Sequence, residues 1–398
     1  MLERTLSTKL EEDARHYPVI TITGPRQSGK TTLARAAFPD HDYASLEDPE
    51  LRAFAQEDPR GFLGQFDAGV ILDEIQHAPE LFSYIQVLVD EDDRPGRFVL
   101  TGSQNFLLLS KIAQSLAGRC AVRHLLPFDL HELRESTPPL LEDLGRELPD
   151  ASSKPEVALL EQLFTGCYPR IRDRGLQPQD WLASYYQTYL ERDVRSILNV
   201  GDLNTFRRFV GLCAGRNGQL LNLSSLGNDC GVNHSTARRW LSVLEASFLV
   251  RLLEPHHRNF NKRIIKSPKL YFLDTGLLCY LLRIRSPEEL CQHSMRGAIF
   301  ECHVVAELLK RALHRGREPD LYFWRDAAGH EVDVLLDLGA TQVPVEIKSG
   351  ETVNSDFFQG LDYWRLLAGD DDVPAVLVYG GERSYRRQGV GVYGWWGF

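Results

Sequence analysis

Two short stretches of this 398-residue chain place reactive side chains at spacings that chemistry requires. In the first, Gly24, Pro25, Arg26, Gln27, Ser28, Gly29, Lys30 and Thr31 satisfy GxxxxGK[ST] at every fixed position, and Thr32 follows. The glycines let the backbone wrap closely around phosphate oxygens. A helix opening behind them would aim its N-terminal N–H groups and its dipole at the same negative charge. Lys30 would reach the β- and γ-phosphates of ATP, and the Thr31 hydroxyl would ligate Mg²⁺. In the second stretch, EVDVLLDLGATQVPVEIKSG (331–350), Glu331 pairs with Asp333 and Glu346 with Lys348 at a spacing of two. In a strand, residues two apart share a face, so each pair would present its charges together.

The first stretch has the acidic partners that hydrolysis needs. The run GVILDE (69–74) reads as a buried strand whose end delivers Asp73, where a contact to Mg²⁺, direct or through its ligands, is required. Glu74 beside it is placed to orient and polarise an attacking water. Asp73 and Glu74 also fit a simple polar strand end. Ser103 and Gln104 follow a third strand-like run, RFVLTGS, where a polar side chain would sense the γ-phosphate. Arg119, in SLAGR, suits the neutralisation of transition-state charge, supplied from a neighbouring subunit of a homo-oligomer. An exposed arginine that only aids solubility fits that position equally well.

For the second stretch, Gly339 marks the turn, and a regular hairpin about it sets Asp333 opposite Glu346 and Glu331 opposite Lys348. Cβ atoms directly opposite lie ~5 Å apart, so the two carboxylates could share one divalent cation, whose charge relieves their repulsion. Lys348 would orient a water or stabilise a developing phosphorane. The arrangement resembles the D…ExK set of the PD-(D/E)XK phosphodiesterases. A register slip of one residue would send one carboxylate to the other face and abolish it. The same alternation also fits a solvent-facing hairpin with a Glu331–Lys348 ion pair worth at most ~1 kcal/mol.

The elements that must position these groups can be read around them. VITIT (19–23) leads into the glycine-rich loop and a helical stretch, and the strand–helix alternation predicts an α/β parallel sheet. A Pro-, Ser- and acid-rich linker (135–156) and a helical stretch (157–200) separate it from a mostly helical unit. Within that unit, residues 222–255 have the rhythm of a helix-turn-helix, with Ser224 or Ser225 capping the first helix, Gly231 at the turn and Ser235 capping the second. The second helix carries Arg238 and Arg239 outwards, with Trp240 and Leu241 inwards. FLVRLLEP and KLYFLD then read as the strands of a wing. Between His234 and Lys269 there are eight basic residues and two acidic ones, in a chain whose net charge is −10. DNA is therefore expected to meet Arg238, Arg239, Lys262, Arg263 and Lys266 rather than the whole surface. A rigid lid or a protein contact is the competing reading of this unit. A helix (299–313) and strands at 320–325, 331–337, 342–348 and 373–379 complete the pattern.

The seven cysteines are dispersed without CxxC spacing, which suggests reduced thiols rather than a disulfide framework or a structural zinc. No run approaches the ~18 apolar residues of a membrane span, and the charged N-terminus has no signal-peptide core, so the cytoplasm is the expected compartment.

GPRQSGKTTL, LDEIQ, LTGSQ, SLAGR, YLERDV, YFLDTGL and EVDVLL…VEIKSG occur in this order. In them the chain resembles the bacterial and archaeal AAA-type P-loop ATPases that carry a C-terminal domain of unknown function. The resemblance implies an AAA-like ATPase core (1–134), a linker and helical lid (135–202), a winged-helix-like middle (203–285) and a restriction-endonuclease-like C-terminal α/β domain (286–398). It also draws in Glu301, in FECHVV, to complete a metal shell with Asp333 and Glu346. The function expected is Mg²⁺-dependent binding and hydrolysis of ATP by a protein bound to DNA. The competing expectation is a nucleotide-gated switch or scaffold whose C-terminal domain binds protein partners without chemistry.

Overall fold

The computed structural model describes residues 2–103, 112, 114–137, 140–148, 155–189, 203–256, 266–369 and 373–398. β1 (Val19–Thr23), β2 (Asp42–Ser45), β3 (Val70–Asp73), β4 (Phe98–Gly102) and β5 (Cys120–His124) form one wholly parallel sheet in the order β2-β3-β4-β1-β5. A parallel sheet covered on both faces reads as continuous apolar strands, and VITIT, VILD and FVLTG are buried at every position. Val19, Leu72 and Leu100 pack into one face, Ile20, Ile22, Ile71 and Val99 into the other. Since β4 lies between β1 and β3, a crevice opens at their carboxyl ends, the place where open α/β sheets bind ligands.

Among its described residues the middle unit is helical except for one two-stranded antiparallel ribbon, β6 (Val250–Leu253) with β7 (Lys269–Phe272). Its helices Leu223–Cys230 and His234–Ala246 are capped differently from expectation. Asn222 and Asn233 accept from the backbone N–H groups of Ser225 and Thr236, whereas Ser224, Ser225 and Ser235 lie inside the helices. Asparagine is at least as good an N-cap as serine, and it precedes each apolar face by the right interval. Gly231 ends the first helix at φ 77°, and Trp240 and Leu241 are buried as expected.

The C-terminal sheet is mixed. β8 (Leu321–Arg325), β9 (Glu331–Asp337), β10 (Gln342–Lys348), β11 (Ala375–Tyr379), β12 (Tyr385–Arg387) and β13 (Val390–Gly394) stand in the order β12-β13-β11-β10-β9-β8. The hairpin register runs from Gln342 opposite Asp337 to Val345 opposite Val334, which is the pairing that a turn at Gly339 dictates. Gly339 takes φ 76°, a conformation glycine adopts without cost.

Contacts of two kinds illustrate how the units are joined. The β6 end of the ribbon continues onto the edge strand β8, where Phe323 N–H donates to Glu254 O (3.1 Å) and His256 N–H to Phe323 O (2.7 Å). The 18-residue helix Arg296–Leu313 drives buried polar groups into the chain leaving the first sheet. Glu307 accepts from Leu130 N–H (2.7 Å) and pairs with Lys310 (2.8 Å), and Lys310 Nζ donates to Phe128 O (2.9 Å). His314, just past the helix, faces Asp129 and Glu132 at 3.2 and 3.3 Å.

Candidate functional site

The first site forms where β1, β3 and β4 end. Gly24 adopts φ 154° and Gly29 φ 95°, and a Cβ at Gly24 would lie 2.1 Å from Leu125 O. The loop therefore closes in a way only glycine permits. Gly29 directly precedes the Lys30–Ala37 helix, and the Ser28 hydroxyl is buried with no hydrogen-bond partner. A tight cradle with an unmet polar group, at the start of a helix, fits a bound phosphate chain. Lys30 Nζ donates to Gly24 O (3.1 Å) and Pro25 O (2.9 Å), so its ammonium is folded over the loop.

The acidic partners are at hand. Thr31 Oγ1 donates to both Asp73 oxygens (2.9 and 3.1 Å), Tyr43 OH donates to Oδ2 (2.9 Å), and Thr101 Oγ1 donates to Oδ1. A hydroxyl and a carboxylate this close are a fitting pair for Mg²⁺. Glu74 sits in the left-handed region at φ 55°, a strained position for a glutamate. Ser103 Oγ (3.1 Å) and Gln76 Nε2 donate to its Oε2. Burial pushes the Glu74 carboxyl up, but the Lys30 charge, then Gln76, Arg26 and Ser103, outweigh this and hold it below its ordinary value. Glu74 is thus an ionised acceptor at neutral pH.

Three features of this site were not evident in the sequence. A cleft of about 420 Å³ over the loop is lined by Arg26, Gln27, Gly29, Lys30, Thr31, Thr32, Glu47, Asp73 and Glu74, and also by Arg170 and Arg174 with Asp173 between them. Those two exposed arginines share one face of the short Pro169–Arg174 helix in the middle unit and add positive charge opposite the loop. Arg4, near the N-terminus, braces the loop from below. It donates to Ser28 O (2.8 Å) and Leu126 O (2.6 Å) and pairs with Glu132 (3.1 Å). The buried trio Asp129, Glu132 and His314 has the spacing of metal ligands, yet Arg4 and backbone N–H groups already serve it. Arg119 lies elsewhere. It immediately precedes β5 beside Val19, at the opposite end of the sheet and roughly 16 Å of strand from the loop, and it pairs with Asp90 at 2.5 Å. Gln104 lies outside the described residues.

In the middle unit Arg238 and Arg239 are exposed on the second helix, as is Lys266 just before β7, whereas Lys262 and Arg263 lie outside the described residues.

The hairpin charges do not make the pairs expected of a solvent-facing ribbon. Past Val345 the ladder opens, and the Asp333 carboxylate itself accepts from Ile347 N–H (2.8 Å). Lys348 Nζ lies 2.5 Å from Glu346 and 3.8 Å from Asp333, on the same side. Glu331 instead pairs with Arg325 of β8 (3.2 Å) and with Lys269 of β7. Glu301, expected to complete a metal shell, accepts at its Oε1 from Lys269 Nζ (3.2 Å) and from Tyr271 OH (2.5 Å). The sequence offers no sign of Lys269 here, because it comes from another unit. Glu346 is 8% exposed, and its Oε2 has no partner. Burial, then the nearby Asp333 charge, pushes its carboxyl up to about 8, against the pull of Lys348.

Comparison with known proteins adds the following. Residues 16–134 match the model of the "AAA domain" family, 157–288 a "Domain of unknown function (DUF8612)", and 296–396 a "Domain of unknown function (DUF4143)". Uncharacterized proteins of Mycobacterium tuberculosis and Mycobacterium bovis are each 32% identical over 353 residues, which is 88% of this chain and 74% of theirs. Among solved structures, a Walker-type ATPase of Pyrococcus abyssi aligns at 15% identity, covering 71% of this chain and 96% of its own, with a TM-score of 0.45. The AMPPCP-bound DnaA of Aquifex aeolicus aligns at 14% identity, covering 60% and 85%, with a TM-score of 0.29.

Proposed function

The chain belongs to the same family as the two mycobacterial proteins and carries an AAA-type P-loop ATPase domain, and from that premise we propose that it hydrolyses MgATP and couples the nucleotide to a DNA-bound, cation-binding C-terminal half. The observation that carries the reading is the meeting of Lys30, Thr31, Asp73 and an ionised Glu74 at the mouth of one parallel sheet. Backbone N–H groups of residues 26–31 cradle the phosphates, and Lys30 leaves Gly24 O and Pro25 O to meet the β- and γ-oxygens. Thr31 and Asp73 would hold Mg²⁺, which would supply positive charge against the negative charge of the nucleotide. Glu74 orients the attacking water and takes its proton, and Ser103 and Gln76 keep that carboxylate aimed. Arg170 and Arg174 meet the charge on the nucleotide from the middle unit, so nucleotide state and the position of that unit are linked. Steady-state phosphate release tests this: Lys30→Ala loses both ATP binding and turnover, and retention of either refutes it.

The middle unit reads best as a winged-helix-like DNA contact made by the exposed Arg238, Arg239 and Lys266, next to a stretch in which positive charge exceeds negative. Duplex affinity falls as salt rises, and Arg238→Ala/Arg239→Ala lowers the salt slope by about 2. A slope that the double variant leaves unchanged excludes this surface. In the C-terminal domain the opened ladder, with Asp333, Glu346 and Lys348 on one side, supports a restriction-endonuclease-like centre at which Asp333 and Glu346 hold one divalent ion. Nicking of DNA that needs Mn²⁺ or Mg²⁺ and vanishes in Asp333→Ala checks it. Equal nicking by both proteins would place the activity elsewhere.

A further inference from the structure

Four carboxylates, those of Glu301, Glu331, Asp333 and Glu346, stand together where the β9–β10 ladder ends, and they divide into two halves. Lys269 reaches the first half from the middle unit. It is 3% exposed, and its ammonium lies 3.2 Å from Glu301 Oε1 and pairs with Glu331 Oε1. Tyr271, two residues on and on the same face of β7, donates to that Glu301 oxygen at 2.5 Å. Arg325 takes the other oxygen of Glu331 at 3.2 Å. This half is neutralised and hydrogen-bonded by groups of the chain itself.

The second half is only partly so: Asp333 accepts from Ile347 N–H (2.8 Å) and shares a single ammonium, that of Lys348, with Glu346. Lys348 serves one oxygen of Glu346, while the buried Oε2 has no donor at all. Gly360 leaves room beside it, since a Cβ there would come within 2.8 Å of that oxygen. A buried carboxylate oxygen without a partner is rare in a folded protein and marks a place where a positive ligand belongs.

We propose that Lys269 acts as a built-in cation for the Glu301–Glu331 half, so that the cluster takes one divalent ion, on Asp333 and Glu346, and excludes a second. This rests on the reading of the Asp333–Glu346 centre given above and deepens it. Two-ion centres hold their metals within about 4 Å of each other and clamp both the attacking and the leaving oxygen. An ammonium fixed on two of the four carboxylates occupies the ligands that a second ion would need and repels it. Chemistry here would then be of the one-ion class, with Lys348 close to the metal ligands. Lys269 is a positioning residue, and it makes the cation site a joint product of the middle and C-terminal units.

The test is Mn²⁺ binding to the full chain without nucleotide, followed by calorimetry and by the electron paramagnetic resonance of free Mn²⁺. One ion is expected for wild type, none for Asp333→Asn, one for Lys269→Arg, and two for Lys269→Met. Glu301→Gln keeps the single ion with less than about a threefold change in affinity, and it carries the test should Lys269→Met fail to fold. One ion of equal affinity in wild type and Lys269→Met, or at least a tenfold loss in Glu301→Gln, overturns the role of Lys269 alone. No ion in wild type overturns the centre itself, and the Lys269 proposal with it.

Discussion

Replacing Glu346 by glutamine should change how stability depends on pH, and the structure sets both the sign and the size. In the folded chain the Glu346 carboxyl is pushed up to about 8 by burial and by Asp333, whereas a free glutamate titrates near 4.5. Below about 4.5 both folded and unfolded states are protonated, so nothing changes with pH. Between about 4.5 and 8 the unfolded chain gives up a proton that the folded chain keeps, so folding loses stability as pH rises. Above about 8 both states are ionised and the dependence ends. The slope has a ceiling of ~1.4 kcal/mol per pH unit, so between pH 5 and 8 the loss is on the order of 3 kcal/mol once coupling to Lys348 and Asp333 is discounted. Glutamine copies the protonated carboxyl and cannot titrate. Without divalent metal, Glu346→Gln should therefore gain on wild type steadily from pH 5 to pH 8. Four of the six tryptophans, Trp324, Trp364, Trp395 and Trp396, lie in the C-terminal domain, so urea unfolding followed by tryptophan fluorescence reports on it. A constant difference between the two proteins across this range, or a wild type that gains on the variant as pH rises, would show that Glu346 is not the group whose carboxyl is raised on folding.

Other consequences are direct. Lys310→Met leaves the buried Glu307 without its cation between the long helix and Leu130, which should cost about 3–5 kcal/mol of stability; a loss under about 1 kcal/mol in thermal or urea unfolding would contradict the buried pair. Arg4→Ala frees the Ser28 and Leu126 carbonyls beneath the loop and should weaken ATP binding about tenfold, near 1.4 kcal/mol, as measured by fluorescent-nucleotide titration; an unchanged Kd would show that Arg4 does not set the loop. Arg174→Ala should raise the KM for ATP or lower kcat several-fold without affecting DNA affinity, and equal kinetics would remove the middle unit from the nucleotide site.

How much was legible in the sequence depended on how far along the chain a relationship reached. The phosphate loop could be read residue by residue because its geometry is local: Gly24, Gly29, Lys30 and Thr31 act within one turn and one helix start. The hairpin register could be read too, because a single glycine, Gly339, and strict alternation leave one pairing. Caps were half legible. The helices were apparent, but Asn222 and Asn233 outcompeted nearby serines for a position that either residue type can fill. Lys269, Arg4, Arg170 and Arg174 were not legible, because each acts on a segment far away in sequence and no spacing rule links them. Lys269 reads as one more basic residue of a wing, and only packing turns it into the partner of Glu301 and Glu331. β12 and β13 carry little strand signal, because YRR and the glycine-rich VGVYG lack the β-branched runs that mark strands.

In the proposed reaction Glu74 activates the water beside a loop that binds ATP independently of it. Phosphate release and nucleotide binding, measured together with Mg²⁺ on wild type and Glu74→Gln, test this most directly. Glu74→Gln should lose turnover at least ~100-fold, with ATP affinity within a few-fold of wild type. Glu74→Gln that still hydrolyses ATP at a comparable rate would contradict it.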